Sequence, residues 1–355
     1  MAHSIPVGDM VVEGLVNGRS GLRPGYVIIK DGVVESVGRG SCPEEPDRRG
    51  IVLADTVNGH THCADFGLRI PPGLSLEELV APPDGLKHRY LREAGPDVLA
   101  RSMSDFAAVS ADAGSSTFVD FREGGAEGCR LLRAVAPGAV ILGRPLSPEF
   151  DPEEVEDILS VADGIGISSV SDMDHAYIEA VADMVRERRK VFAIHASERV
   201  REDIDLVLSL DPAFVVHMCE ATDSDLLKCA EAEVPVVVCP TSNAYFGKEP
   251  PIARAQEMGV DLAIGTDNGM LCRPDMVEEA AAFVRVAESQ GGDPEGVWKA
   301  LTCLSGNLLY PDGSITEHSG QGRLTVLLTD AADAGSALRD DALMVRPQLK
   351  RGCEK

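Results

Sequence analysis

Two histidines one residue apart, His60 and His62, sit in the stretch Val57-Asn58-Gly59-His60-Thr61-His62, just after the apolar run Ile51-Val52-Leu53-Ala54. Read together, run and stretch predict a buried strand that ends at the histidines. Strand side chains alternate, so both imidazoles share a side and can reach one point. Imidazole is a ligand for zinc and similar metals. Later apolar runs also end in ligand-type residues: His195 after Val191-Phe192-Ala193-Ile194, His217 after Phe214-Val215-Val216, and Asp267 after Leu262-Ala263-Ile264-Gly265-Thr266. Three imidazoles and a carboxylate suit a divalent metal with an open position for water. Water on such a metal is a hydroxide source near neutral pH.

These residues need strands that all end on one side. Counted from Ile51, eight β-rich runs alternate with helical segments. Strict alternation with near-continuous apolar strands predicts a parallel sheet covered by helices. Eight units in about 260 residues is the size of a (β/α)8 TIM barrel, whose strand C-termini face the active-site mouth. The alternative, a doubly wound open sheet, would carry a Gly-rich phosphate loop in its first βα unit, and none is present. Short β-rich runs precede the barrel, with an Asp31-Gly32 hairpin turn between two of them. Two more, Gly322 to Leu328 and Ala342 to Val345, follow it. The expected division is residues 1–50 and 319–355 in a small β-sandwich built from both termini, and 51–318 in the barrel. Residues beyond Pro347 are polar and expected to fray.

The chain has 355 residues, 33 Lys plus Arg against 58 Asp plus Glu, and a formal charge of -25. That balance disfavours nucleic acid and anionic membrane surfaces, which need basic patches. No apolar run reaches the roughly 18 residues of a transmembrane helix, and the N-terminus lacks the pattern of a signal peptide. Nine cysteines without a CxxC pair fit reduced, buried thiols and a cytoplasmic location.

The combined motifs resemble the amidohydrolase superfamily: Asn58-Gly59-His60-Thr61-His62, Ile194-His195-Ala196-Ser197-Glu198, Val216-His217 and Gly265-Thr266-Asp267-Asn268. The β-rich termini resemble that family's composite sandwich, and His-x-x-Glu after strand five is similar to the cytosine deaminase, guanine deaminase and chlorohydrolase branch. The resemblance implies that His60, His62, His195 and Asp267 bind one divalent metal, with zinc foremost and iron or manganese as alternatives. It implies that His217 orients or polarises the attacking water and that Glu198 shuttles a proton to the leaving nitrogen. Asp267 would also accept the proton of that water. The expected reaction is hydrolytic deamination of a cyclic amidine of purine, pyrimidine or pterin type. Two alternatives stand beside it: a cyclic amide hydrolase of imidazolonepropionase or dihydroorotase type, and a metal-free binding or scaffold homologue. Homo-oligomerisation is a family-level expectation.

Strand four ends near Ser168-Ser169 with no lysine to bridge two metals, which favours one. Glu123 lies beyond strand two and is expected to pair with Arg122 or contact substrate rather than bind metal. Ser242 and Asn243, in Cys239-Pro240-Thr241-Ser242-Asn243, resemble the family's substrate loop and are assigned to a small heterocyclic substrate. Lys87-His88-Arg89 reads as a solvated charge cluster, and Cys63 as a thiol behind the ligands.

Overall fold

The computed structural model describes residues 3–4, 7–18, 21–53, 56–80, 84–115, 117–304, 324–331, 333–338 and 343–349. Ala54, Pro82-Pro83, Ser116, the expected boundary at 318 and the tail from 350 onward lie outside the described residues. The first strands are β1 (His3–Ser4), β2 (Met10–Val16), β3 (Arg23–Lys30), β4 (Val33–Arg39) and β5 (Arg48–Leu53). Asp31 and Gly32 both take positive φ, 52° and 74°, the turn geometry that suits twisted antiparallel strands. They join β3 to β4 as the sequence predicts.

The next strands are β6 (Val57–His62), β7 (Thr117–Arg122), β8 (Val140–Gly143), β9 (Gly164–Ile167) and β10 (Val191–Ala196). After them come β11 (Phe214–His217), β12 (Val236–Val238), β13 (Leu262–Ile264), β14 (Asp267–Asn268), β15 (Thr325–Leu328), β16 (Leu343–Val345) and β17 (Gln348–Leu349). Strands β6 to β14 form one parallel nine-stranded sheet in the order β13-β12-β11-β10-β9-β8-β7-β6-β14. Its two end strands are consecutive in the chain. β13 pairs with β12, and after Gly265-Thr266 the chain resumes as β14 against β6. The sheet therefore curls round on itself, giving a mixed α/β fold of TIM-barrel type. Asn58 fastens the junction: its Oδ1 accepts from Thr266 N at 2.9 Å and its Nδ2 donates to Thr266 Oγ1 at 2.7 Å.

The remaining strands make a second, mixed sheet in the order β1-β16-β15-β5-β2-β3-β4-β17, joining both ends of the chain. It packs a core of its own around Val12, Val27, Ile29, Val52, Val326 and Val345. One sequence reading changes here. Ile51–Leu53 does not begin the first barrel strand. It ends β5, paired with β15, and β6 begins separately at Val57. Two apolar runs so close together read as one when only hydrophobicity is consulted.

Alternation inside the barrel decides what reaches its mouth. Val191 and Ala193 of β10 belong to the interior cluster, while Phe192 and Ile194 pack outward against the helices. His195 continues the inward parity. Val140 and Leu142 of β8 are also interior, so Arg144 faces inward past the strand end. On β6 the register against β7 shifts between Asn58 and Thr61. A bulge re-aims the side chains that follow it, and it brings His60 and His62 to the same face as His195.

Candidate active site

The first ligand-type pair rests on glycines that let two strands nearly touch. A Cβ on Gly265 would lie 2.8 Å from both Cβ and N of His60, and one on Gly59 would lie 2.9 Å from Leu304 Cδ1 and 3.1 Å from Ile264 O. Only a residue without a side chain permits that approach. His60 is fully buried as a result. His60 Nε2 sits 3.2 Å from His195 Nε2 and 3.3 Å from Asp267 Oδ1. His62 Nε2 is 3.6 Å from the same Asp267 oxygen.

Hydrogen bonds on the far side of two rings fix which nitrogen is bare. His195 Nδ1 faces Ile167 O at 2.9 Å. His62 Nδ1 faces Phe121 O at 3.2 Å and Glu123 Oε1 at 3.0 Å. An oxygen acceptor demands the hydrogen on Nδ1, which leaves each Nε2 with a free lone pair. Two such lone pairs and a carboxylate oxygen converge on His60 Nε2, while His60 Nδ1 is buried without a hydrogen-bond partner. A cation placed among these acceptors would satisfy them together. Ligand atoms of His60, His62 and His195 lie within 4.8 Å of one another, as do those of His60, His217 and Asp267.

The protonation pattern agrees. Burial pushes the His60 imidazole down to about 3, against the upward pull of Asp267. Burial, then the neighbouring imidazoles, holds His195 well below its usual range. Burial would raise Asp267, but the hydrogen bond from His60 and the surrounding histidines outweigh it and keep the carboxyl well below its ordinary value. Neutral imidazoles beside a carboxylate are the protonation states a metal requires.

His217 reaches the cluster differently. Phe214 and Val216 face the barrel interior, so plain alternation would turn His217 outward. Instead His217 and Met218 take positive φ, 79° and 58°, as does Asp267 at 60°. Such backbone is uncommon for non-glycine residues and concentrates at functional sites. Asn243 Nδ2 donates to His217 Nδ1 at 3.2 Å. His217 Nε2 then carries its hydrogen toward the cavity, 3.8 Å from Glu198 Oε1.

The cluster opens into a cavity of about 460 Å³. His62, His195, His217, Asp267, Glu198 and Glu123 all line it. Ser242 and Asn243 do not. Both are fully buried; Ser242 Oγ donates to Asp267 Oδ2 at 2.5 Å and Asn243 holds His217. Expected as substrate contacts, they stand behind Asp267 and His217 because the first turn of helix Pro240–Tyr245 turns them toward strands β11 and β14 rather than into the cavity.

Lys87 is the larger departure. It is buried, not solvated. Helix Leu86–Glu93 lays its amine 2.9 Å from Glu123 Oε1 and 3.9 Å from Asp65 Oδ2. Arg122 grips the other oxygen, Oε2, at 2.5 Å, and also bonds Asp120 at 3.0 Å and lies 3.6 Å from Cys63 Sγ. Burial would raise Glu123, yet Lys87, His62 and Arg122 together hold it well below the usual carboxylate range. Asp65, more deeply enclosed, is pushed up to about 7. Expected pairing of Glu123 with Arg122 is thus present, and Lys87 is the partner the sequence did not announce. Cys63 is buried beside Asp120, as expected of a thiol behind the ligands; burial pushes it well above its usual value.

Histidines and an aspartate gathered at the C-terminal mouth of a barrel make a candidate metal centre. No family model matches the chain. A protein named "Putative aminohydrolase" in Archaeoglobus fulgidus is 36% identical over 274 residues, covering 76% of this chain and 77% of its own. An uncharacterized protein of Methanocaldococcus jannaschii is 33% identical over 289 residues, 73% and 74% of the two chains. Among solved structures, an adenosine deaminase from Xanthomonas campestris with bound zinc has a TM-score of 0.67 at 20% identity over 94% of this chain and 89% of that one. A guanine deaminase from C. acetobutylicum with bound guanine gives 0.59 at 14%, over 90% of both chains. Atrazine chlorohydrolase from Arthrobacter aurescens, with zinc, gives 0.66 at 16%, over 93% and 92%. The chain belongs to the family of these archaeal proteins, one of them named a putative aminohydrolase, and it shares its barrel fold with the zinc-bound deaminase and chlorohydrolase structures. Among the described residues no helix is long and apolar enough to cross a membrane.

Proposed function

We propose that the protein is a hydrolytic deaminase of a cyclic amidine of purine, pyrimidine or pterin type, using one divalent metal. The observation that carries this is Glu198 on the cavity wall, 3.8 Å from His217 Nε2, beside the convergent cluster of His60, His62, His195 and Asp267. Those four residues would hold the metal. Zinc is favoured because zinc is present in structures of similar fold; iron and manganese accept the same donors. When bound, the metal supplies a nucleophilic water at neutral pH.

The chain's own residues then divide the remaining work. His217 donates its Nε2 hydrogen toward the oxygen that accumulates charge. Asn243 fixes that tautomer. Asp267, a carboxylate beside that water, would accept its proton. Glu198 is half-buried and reaches the cavity, so it can carry a proton to a ring nitrogen and then to departing ammonia. Glu123, saturated by Lys87, Arg122 and His62, is a wall of the pocket and an orienting partner of His62 rather than a ligand to a second metal.

The test is ammonia release from a panel of heterocyclic amidines by metal-loaded protein. His195→Ala should lose bound metal. Glu198→Gln should keep metal and lose turnover by at least roughly a hundredfold, the usual weight of a general acid–base group. Metal and activity surviving in both variants would overturn the assignment.

A further inference from the structure

The cavity holds a cation that no carboxylate among the described residues neutralises. Arg144 continues the inward parity of Val140 and Leu142 past the end of β8 and lines the cavity. Among the described residues no carboxylate lies within 4.0 Å of its guanidinium, and its one side-chain partner is Ser168 Oγ at 3.2 Å. Ser168 follows β9, where Ile165 and Ile167 face outward, so Ser168 too points inward. In a chain of net charge -25, a half-buried arginine without an acidic neighbour is a pointed exception.

The other cations around the cavity are already engaged, as is Glu202. Lys87 is held by Glu123. Arg199 lies between Glu77 at 3.9 Å and Asp172 at 3.8 Å. Glu202 accepts from Ser171 N at 2.9 Å and Ser197 N at 3.1 Å. His88 donates Nε2 to Val80 O at 3.0 Å, and burial, then Lys87, pushes it down to about 4, so it adds no charge beside Arg144. Of the cations lining the cavity among the described residues, the guanidinium fork of Arg144 alone has no acidic partner, with the hydroxyls of Ser168 and Ser169 on the same wall. A planar fork flanked by hydroxyls matches an oxyanion. The placement is also suited to a substituent. Arg144 and Ser168 follow the third and fourth barrel strands, across the ring from the eighth, which carries Asp267.

We infer that Arg144, with Ser168, forms a subsite for an anionic substituent, a carboxylate or phosphate, on the heterocycle whose amidine faces the metal cluster. The inference rests on the deaminase reading above and names the substrate class within it. A neutral base would leave the guanidinium facing nothing; a substrate bearing an oxyanion is oriented by it and discriminated from its neutral counterpart.

The experiment is calorimetric titration of metal-loaded full-length protein with matched probes: pterin against pterin-6-carboxylate, and adenosine against adenosine 5′-monophosphate. The wild type should bind the anionic member of at least one pair roughly ten- to hundredfold tighter, the weight of a charge-assisted hydrogen bond or two. The pair that responds separates carboxylate from phosphate. Arg144→Gln should reduce that advantage to within about threefold. Arg144→Lys, which keeps the charge and loses the fork, should fall between, and it serves alone if the glutamine variant does not fold. Equal affinities in the wild type, an advantage retained in the glutamine variant or in both variants, or no binding of any probe would overturn the subsite. Ammonia release from the same probes is read separately. Release without anion preference sinks the subsite and leaves the deaminase reading. Anion preference without release keeps the subsite and sinks deamination of that ring.

Discussion

Ser242 Oγ donates to Asp267 Oδ2 at 2.5 Å, while Asp267 Oδ1 faces His60 and His62. One oxygen of the carboxylate is tethered and the other is presented. Outer partners of this kind orient metal ligands, and their loss typically costs ten- to hundredfold in metal affinity. Ser242→Ala should therefore weaken zinc binding by roughly that factor in a chelator competition, with a melting temperature within a few degrees of wild type. Unchanged affinity would show that the tether does not hold the ligand.

Gly265 should tolerate nothing larger. In Gly265→Ala the new methyl meets the backbone and Cβ of His60 at 2.8 Å, atoms that cannot swing aside. Overpacking of this sort costs about 1–3 kcal/mol. Urea unfolding should record that loss, and metal content should drop with it because the strain falls on a ligand. Wild-type stability in the alanine variant would mean the two strands separate more easily than their packing implies.

Lys87 and Glu123 should be energetically coupled. Removing one member of a buried ion pair strands the other, at a cost on the order of 3 kcal/mol. Lys87→Met and Glu123→Gln should each destabilise. The double variant should lose less than the sum, by about 1–3 kcal/mol. Strict additivity in a double-mutant cycle would show that Arg122 alone satisfies Glu123.

The pH dependence of stability should carry the mark of Glu279. This buried carboxyl, held by Thr241 N at 2.9 Å, is pushed up to about 7 by burial. Between its unfolded value near 4.5 and the folded value the native state binds the extra proton, so stability falls as pH rises through that window. Glu279→Gln keeps an acceptor for Thr241 and removes the titration. The variant should match wild type near pH 5 and exceed it by a few kcal/mol near pH 8. A pH-independent difference between the two melting curves would refute the assignment.

The sequence showed the proposed ligands more clearly than their surroundings. His195 and Asp267 each end an apolar run and lie at the inward parity of their strands, so their approach could be read directly; His60 and His62 share a face as the i, i+2 spacing predicts, but a bulge in β6 aims that face. His217 sits at the wrong parity for β11, and only its positive φ brings it in; no residue pattern announces that. Lys87 lies in the polar run Lys87-His88-Arg89, which reads as solvent-facing because the acids that bury it, Asp65 and Glu123, come from other segments. Ser242 and Asn243 were visible as site residues, but a short helical turn gives no hint of which side faces the substrate. Arg144 gave no signal at all. Its meaning comes from what is missing around it, and that is a property of the folded chain.

The split last barrel strand has a consequence for assembly. β14 meets β6 only after the chain has travelled round the whole ring, and the Asn58–Thr266 bonds span 208 residues. Contacts of such separation form late, because the loop between them must be closed first. His60, His62 and His195 can gather before that closure, but Asp267 arrives with it. If these four hold the proposed metal, full metal affinity would signal that the ring has shut.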